Sequence, residues 1–233
     1  DIPIEAIEDQ QHYPISHSQN RLWIQDHHIA SDVTYLVPVS YEVPDEIDIE
    51  DISRGFNYLL ERHHSLRTIF RTVNGIPRQQ IIELSLFVFN IQVISQHHTD
   101  FRYRHEINRP FDLSTAPLIR AQLVRIPGQG KLLNVTIHHI LTDEWSMKIF
   151  YDDLVEYLIE NVRKKPLKIQ YKDFSIWQNS MIERGVFNHS KQYWADVFSK
   201  EIPLFKLGRE SISQPFDGTG YSCGIHLPSW VKQ

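Results

Sequence analysis

A mixed α/β sandwich is the fold class this sequence predicts, and three observations carry it. Short segments with alternating apolar residues recur between segments whose apolar residues fall at helical spacing. Two of the alternating segments are separated only by Pro127-Gly128-Gln129-Gly130, a turn composition that makes them a hairpin. Strands interleaved with helices in this way build a mixed sheet with flanking helices packed on it.

The elements follow in order. Residues 16–28, SHSQNRLWIQDHH, begin with a capping Ser16 and read as a helix with Leu22 and Trp23 toward the core. In 34–43, Tyr35, Val37, Val39, Tyr41 and Val43 alternate as in a strand. Behind an Asp48 cap, Ile49, Ile52, Phe56, Leu59 and Leu60 form a helical stripe. SLRTIFRTV (65–73) and LFVFNIQVI (86–94) are strand candidates, with Asn74-Gly75-Ile76-Pro77 as a turn between them. PLIRAQLVRI (117–126) alternates again, and KLLNVTIHH (131–139) follows the hairpin turn, so the hairpin delivers a histidine pair to a strand end. Met147, Phe150, Leu154 and Leu158 then line a helix running to about Val162. KKPLK interrupts the chain, helical pieces follow near Phe174–Arg184 and Ser190–Phe198, and the turn-rich tail 208–230 ends in one expected strand. The expected organisation is therefore one unit over 1–165 and, over 166–233, a linker with the start of a second unit.

Composition narrows the function. The 233 residues are 41% hydrophobic and 23% charged, within the ordinary range of globular proteins. A net charge of −5 and the lack of a basic run argue against nucleic-acid partners and anionic membrane surfaces. No apolar run approaches the ~20 residues of a bilayer span. A lone cysteine, Cys223, excludes an internal disulfide framework and fits a reducing, cytoplasmic setting. The N-terminal DIPIEAIEDQ is not a secretory signal, and with no initiator Met the chain reads as a piece of something longer.

The chemistry centres on LLNVTIHHILTDEWSMKIF, residues 132–150. His-His occurs at 27–28, 63–64, 97–98 and 138–139, so the dipeptide alone says little. The pair at 138–139 differs in its setting. Strand alternation puts His139 on the face of Leu133, Val135 and Ile137, and His138 on that of Asn134 and Thr136. An imidazole continuing an apolar face is expected to be partly desolvated, neutral and able to accept a proton. Asp143 falls just before the next helix, where it can cap that helix or be pinned by a cation. Adjacent strand histidines diverge and no third ligand stands at metal spacing, so no metal is expected. No Gly-x-Ser-x-Gly elbow and no phosphate-cradling glycine loop is present.

HHILTDEWS (138–146) resembles the His-His-x-x-x-Asp-Gly core motif of nonribosomal peptide synthetase condensation domains, members of the chloramphenicol-acetyltransferase-like superfamily. SHSQNRLW (16–23), ERHHSLRTIF (61–70), NRPFDLSTAPLIRAQL (108–123), YKDFSIWQ (171–178) and QYW (192–194) resemble further family segments in the family's order. The resemblance implies a chloramphenicol-acetyltransferase-like two-layer sandwich, with the first of two lobes present and the second begun. It implies acyl transfer between thioesters borne on the phosphopantetheine arms of acyl-carrier or peptidyl-carrier domains, in a synthase with neighbouring modules and with no cofactor bound directly.

By the same resemblance His139 is the catalytic histidine, a general base or positioning residue, and His138 is structural. Asp143 pairs with Arg67, largely buried, to hold the loop. The chain departs from the family at Glu144, where glycine is usual. That substitution puts bulk and negative charge beside a developing oxyanion and casts doubt on ordinary amide synthesis. Divergent domains of this kind occur at the end of fungal highly reducing polyketide synthases of the lovastatin nonaketide type. The alternatives are a module that binds a carrier-borne polyketide without transfer, and an acyltransferase using soluble coenzyme A, against which the other condensation motifs argue.

Overall fold

The computed structural model describes residues 2–28, 33–87, 89–95, 107–128 and 130–200. The histidine pair at 97–98, the tail 208–230 and Cys223 lie outside the described residues, as do the side chains of His27 and His28. Two compact units divide the chain, Asp1–Asn188 and His189–Gln233. The boundary thus falls later than the expected 165/166, because residues 166–188 belong with the first unit.

Among the described residues of that first unit, four strands form the main sheet: β2 (Leu36–Val43), β5 (Ile91–Ser95), β6 (Ile119–Ile126) and β7 (Gly130–His138), in the order β2-β7-β6-β5. β7 runs antiparallel to both neighbours, whereas β5 and β6 are parallel, so the sheet is mixed. Register lines up Val37, Ile137 and Ile119 across three strands, and Tyr41, Leu133 and Leu123 further along. These rows make one apolar face.

On that face lie α2 (Ile49–Arg62) and α3 (Glu144–Ile159). Ile52, Phe56, Leu59 and Leu60 of α2 and Met147, Phe150 and Leu154 of α3 are buried in one cluster with the sheet residues. α2 starts at a reciprocal capping box in which Asp48 accepts from the Asp51 N–H and Asp51 from the Asp48 N–H. The helices approach closely at Gly55, where a Cβ would stand 2.8 Å from Leu154 Cδ1.

A second, three-stranded sheet has the order β1-β4-β3, with β1 at Tyr13–Pro14, β3 at Thr68–Val73 and β4 at Ile76–Ile81. Asn74 (φ 52°) and Gly75 (φ 79°) are both left-handed, which makes the two-residue turn that joins β3 directly to β4. β4 is not among the strands that periodicity predicts. Its buried residue is Gln79, whose Nε2 donates to the Pro14 carbonyl at 2.8 Å, while its apolar Ile76 is 52% exposed. The expected strand 86–94 is shorter too: Leu84–Leu86 form a 3-10 turn and pairing begins at Ile91.

α1 (His17–His28) opens on a reciprocal pair, Gln19 N–H donating to Ser16 Oγ at 3.2 Å and Ser16 N–H to Gln19 Oε1 at 3.0 Å. α4 (Tyr171–Glu183) is tied to the chain's beginning: Ile7 N–H donates to Asp173 Oδ1 at 2.9 Å, Lys172 Nζ to the Ile7 carbonyl at 2.6 Å, and Asn179 Nδ2 to the Ile15 carbonyl at 3.0 Å. α5 (Asn188–Val197) begins where the first unit ends.

Candidate active site

β7 ends at His138, and the chain then enters a tight turn. His138 N–H donates to the Leu118 carbonyl at 3.1 Å and His139 N–H to the Tyr35 carbonyl at 2.7 Å. Leu141 N–H then bonds back to the His138 carbonyl at 3.0 Å and Thr142 N–H to that of His139 at 3.3 Å, so the chain leaves the sheet within one residue of the pair. Strand alternation therefore stops at the decisive position, and the two histidines exchange their expected environments. His138 is 2% exposed, and His139 is exposed.

His138 shapes the turn. Its Nδ1 accepts the Ile140 N–H at 3.1 Å, which requires an unprotonated Nδ1 and leaves the proton on Nε2, 3.7 Å from Asp26 Oδ1. The ring meets Phe111 edge-on, with centroids 6.3 Å apart. Burial, with the neighbouring His139 adding to it, pushes its pKa down to about 4, so the neutral form that the turn needs is the stable one.

A cavity of about 480 Å³ opens beside this turn. His139, Thr142 and Asp143 line it, and α1, the end of α2, the first turns of α3 and Tyr171 close it. Asp143 caps α3, accepting from Ser146 N–H at 2.8 Å and Ser146 Oγ at 2.6 Å. Those two hydrogen bonds hold its carboxyl below the usual carboxylate range.

The expected Arg67–Asp143 ion pair is not formed. Arg67 donates from Nε to the Leu60 carbonyl at 3.2 Å and from Nη1 to the Ile82 carbonyl, and the carboxylates acting on it are Glu83 and Asp9. The guanidinium thus closes the end of α2 onto the strand connection, and the loop is held by the cap instead. Glu144 is the exposed first residue of α3 and is not among the residues lining the cavity. A carboxylate there is favoured by the helix dipole.

Several lining residues lie in family segments that do not single them out as site residues. Tyr171, whose hydroxyl lies 3.0 Å from Ser16 Oγ, belongs to the family segment 171–178, but nothing in that segment's spacing marks it as a site residue. Arg62 and His63 reach the cavity from the end of α2, and both bond Asp153 of α3. Both fall within the family segment 61–70, but nothing in that segment's spacing connects them to residue 153. Among the described residues no three His, Cys, Asp or Glu side chains gather as a metal site, and no helix is long and apolar enough to cross a membrane.

The fold and site define an α/β domain that presents one histidine from a strand-end turn into a cavity covered by helices. The condensation-domain family model matches residues 9–231, and the chain belongs to that family. It is 33% identical over 224 residues to gramicidin S synthase 2 of Aneurinibacillus migulanus, covering 95% of this chain and 5% of that protein. It is 33% identical over 233 residues to surfactin synthase subunit 1 of Bacillus subtilis (strain 168), covering 98% of this chain and 6% of that one. Among solved structures, the X-domain from teicoplanin biosynthesis superposes with a TM-score of 0.73 at 21% identity, over 84% of this chain and 45% of its own. The epimerization domain from the third module of tyrocidine synthetase B gives 0.68 at 18% identity, over 84% and 48%. The chain therefore spans a small part of its synthase relatives and about half of these solved chains, and it shares the condensation-domain fold.

Proposed function

We propose that this chain carries the histidine side of an acyl-transfer site in a multidomain natural-product synthase. A carrier-borne acyl chain moves from its thioester to a nucleophilic acceptor, with His139 taking the acceptor's proton or orienting it. The partners are acyl-carrier or peptidyl-carrier domains and neighbouring modules, the chains arrive on phosphopantetheine arms, and residues from 189 onward lead into the second lobe. The observation that supports this reading best is His139 itself, exposed at the cavity wall on a turn whose geometry depends on a neutral, buried His138.

The test is transfer from an acyl-pantetheine thioester to a small amine, followed by mass spectrometry. His139→Ala should lower turnover by about 10²–10⁴-fold with an unchanged melting temperature, and undiminished turnover sinks the reading. A second reading is a module that holds a carrier-borne polyketide without forming an amide; Glu144 stands where the family has glycine, but it is exposed at the start of α3 and outside the cavity lining, so the geometry favours the first reading. The second requires that the unmodified protein bind acyl-carrier without turnover, and that His139→Ala bind equally well.

A further inference from the structure

The wall of the same cavity carries a second imidazole, and its surroundings differ from those of His139. His63 caps the C-terminal end of α2, its N–H donating to the Leu59 carbonyl at 2.8 Å. Its Nε2 stands 2.7 Å from Oδ2 of Asp153. The Asp153 side chain is 3% exposed and that of His63 15%. Arg62 Nε reaches the same carboxylate oxygen at 2.9 Å, and Lys164 Nζ reaches Oδ1 at 2.8 Å. Lys164 is paired in turn with Glu156 at 2.8 Å, and Arg62 also donates to the Lys165 carbonyl.

Burial works to raise the Asp153 pKa, but hydrogen bonds from Lys164, Arg62 and His63 bring it below the usual carboxylate range. A carboxylate can only accept, so the proton of His63 lies on Nε2, and the ring's one lone pair is on Nδ1. Burial holds the ring neutral against the pull of Asp153, with the Arg62 and Lys164 charges working the same way as burial. A neutral imidazole fixed in one tautomer by a buried carboxylate is the arrangement that makes histidine a proton acceptor. His139, by contrast, has no side-chain hydrogen bond to another described residue.

We propose that His63, oriented by Asp153, is a second proton-transfer group of this site and receives the proton released by an attacking amine. The inference rests on the acyl-transfer reading above. As the amine nitrogen bonds to the thioester carbon and the carbon–sulfur bond breaks, one proton passes from nitrogen to Nδ1 of His63. The imidazolium returns it to the departing thiolate, which leaves as the thiol. Asp153 balances the transient positive charge as a positioning residue, and His139 orients the amine.

The experiment uses the same acyl-pantetheine and amine assay on the unmodified protein, His139→Ala, His63→Gly, His63→Gln and Asp153→Asn, with melting temperatures alongside. His63→Gly should lose at least about 100-fold in kcat/KM and regain part of it with added imidazole. Asp153→Asn should move the acidic limb of the pH profile to lower pH, because the group favouring the imidazolium is gone. Histidine ¹⁵N shifts at pH 7 should show His63 as the Nε2–H tautomer, a readout that does not depend on turnover. Wild-type turnover in either His63 variant, a lesion that imidazole leaves untouched in folded His63→Gly, or an Nδ1–H tautomer overturns the proposal and leaves the role of His139 standing. If the unmodified protein transfers to no amine, both readings fall together.

Discussion

Replacing Asp143 and Arg67 by alanine, singly and together, tests how the loop beside His139 is held. Asp143 accepts two hydrogen bonds from Ser146 and caps α3, and loss of such a cap costs about 0.5–2 kcal/mol. Arg67 donates to the carbonyls of Leu60 and Ile82. Charge-assisted bonds of this kind are worth about 1.5–3 kcal/mol, and the half-buried setting of Arg67 favours the lower end. The two side chains share no bonding partner, so the double variant should lose the sum of the two, to within about 0.5 kcal/mol. A buried ion pair behaves otherwise. Either single change would cost about 3–5 kcal/mol, and the second would add little. Urea unfolding followed by circular dichroism at pH 7, where Asp143 is ionised, gives all four free energies. Asp143→Asn is the control, since asparagine caps a helix about as well as aspartate. A coupling free energy above about 1 kcal/mol would refute the capping account and restore the pair.

Two further outcomes concern the turn and the helix start. Folding lowers the His138 pKa from 6.5 to about 4, so between those values the unfolded chain binds the extra proton and stability falls with pH, at a limiting slope of about 1.4 kcal/mol per unit. Its contribution is whole above pH 6.5 and is lost on approach to pH 4. His64, pushed to about 4 chiefly by burial, adds to the same window. Urea midpoints from pH 7.5 to 4.5 should fall less steeply in His138→Leu, and an unchanged slope would mean that His138 is not held neutral. Glu144→Gly should cost about 1–2 kcal/mol, from lost helix propensity and a lost favourable charge at the helix start. Acyl transfer should stay within about twofold, because Glu144 does not line the cavity; a clear gain in amide formation would place its carboxylate at the reacting atoms.

Much of the fold is legible in the sequence because the buried residues obey simple periods. The α2 stripe and the alternation of β2 and β7 appear in the structure as one cluster, with Val37 opposite Ile137 and Tyr41 opposite Leu133. Where burial is polar the signal vanishes. β4 buries Gln79 against a carbonyl and exposes Ile76, so its sequence carries no strand period. The domain boundary is misplaced for a different reason. Lys164-Lys165-Pro166 has a linker's composition, yet α4 beyond it is bonded to Ile7, Ile15 and Ser16. Nothing local records contacts across more than 150 residues.

In the site, the resemblance names two residues that share a cavity, and it gives Asp143 a partner in Arg67 that it does not meet. His139 and Asp143 do line one cavity, but strand alternation extends one residue too far, past the turn that exposes His139 and buries His138. The displaced arginine contact has an electrostatic explanation. Asp143 sits at a helix start beside solvent, where Ser146 satisfies its carboxylate and little is gained from a cation. Asp153 lies on the inner side of α3, where an unpaired carboxylate would cost several kcal/mol. The cations gather where the carboxylate most needs them: Arg62 and Lys164 at Asp153, with His63 as a third donor. That demand draws the end of α2 onto α3, and in doing so it sets a carboxylate-backed imidazole into the wall of the cavity that His139 faces.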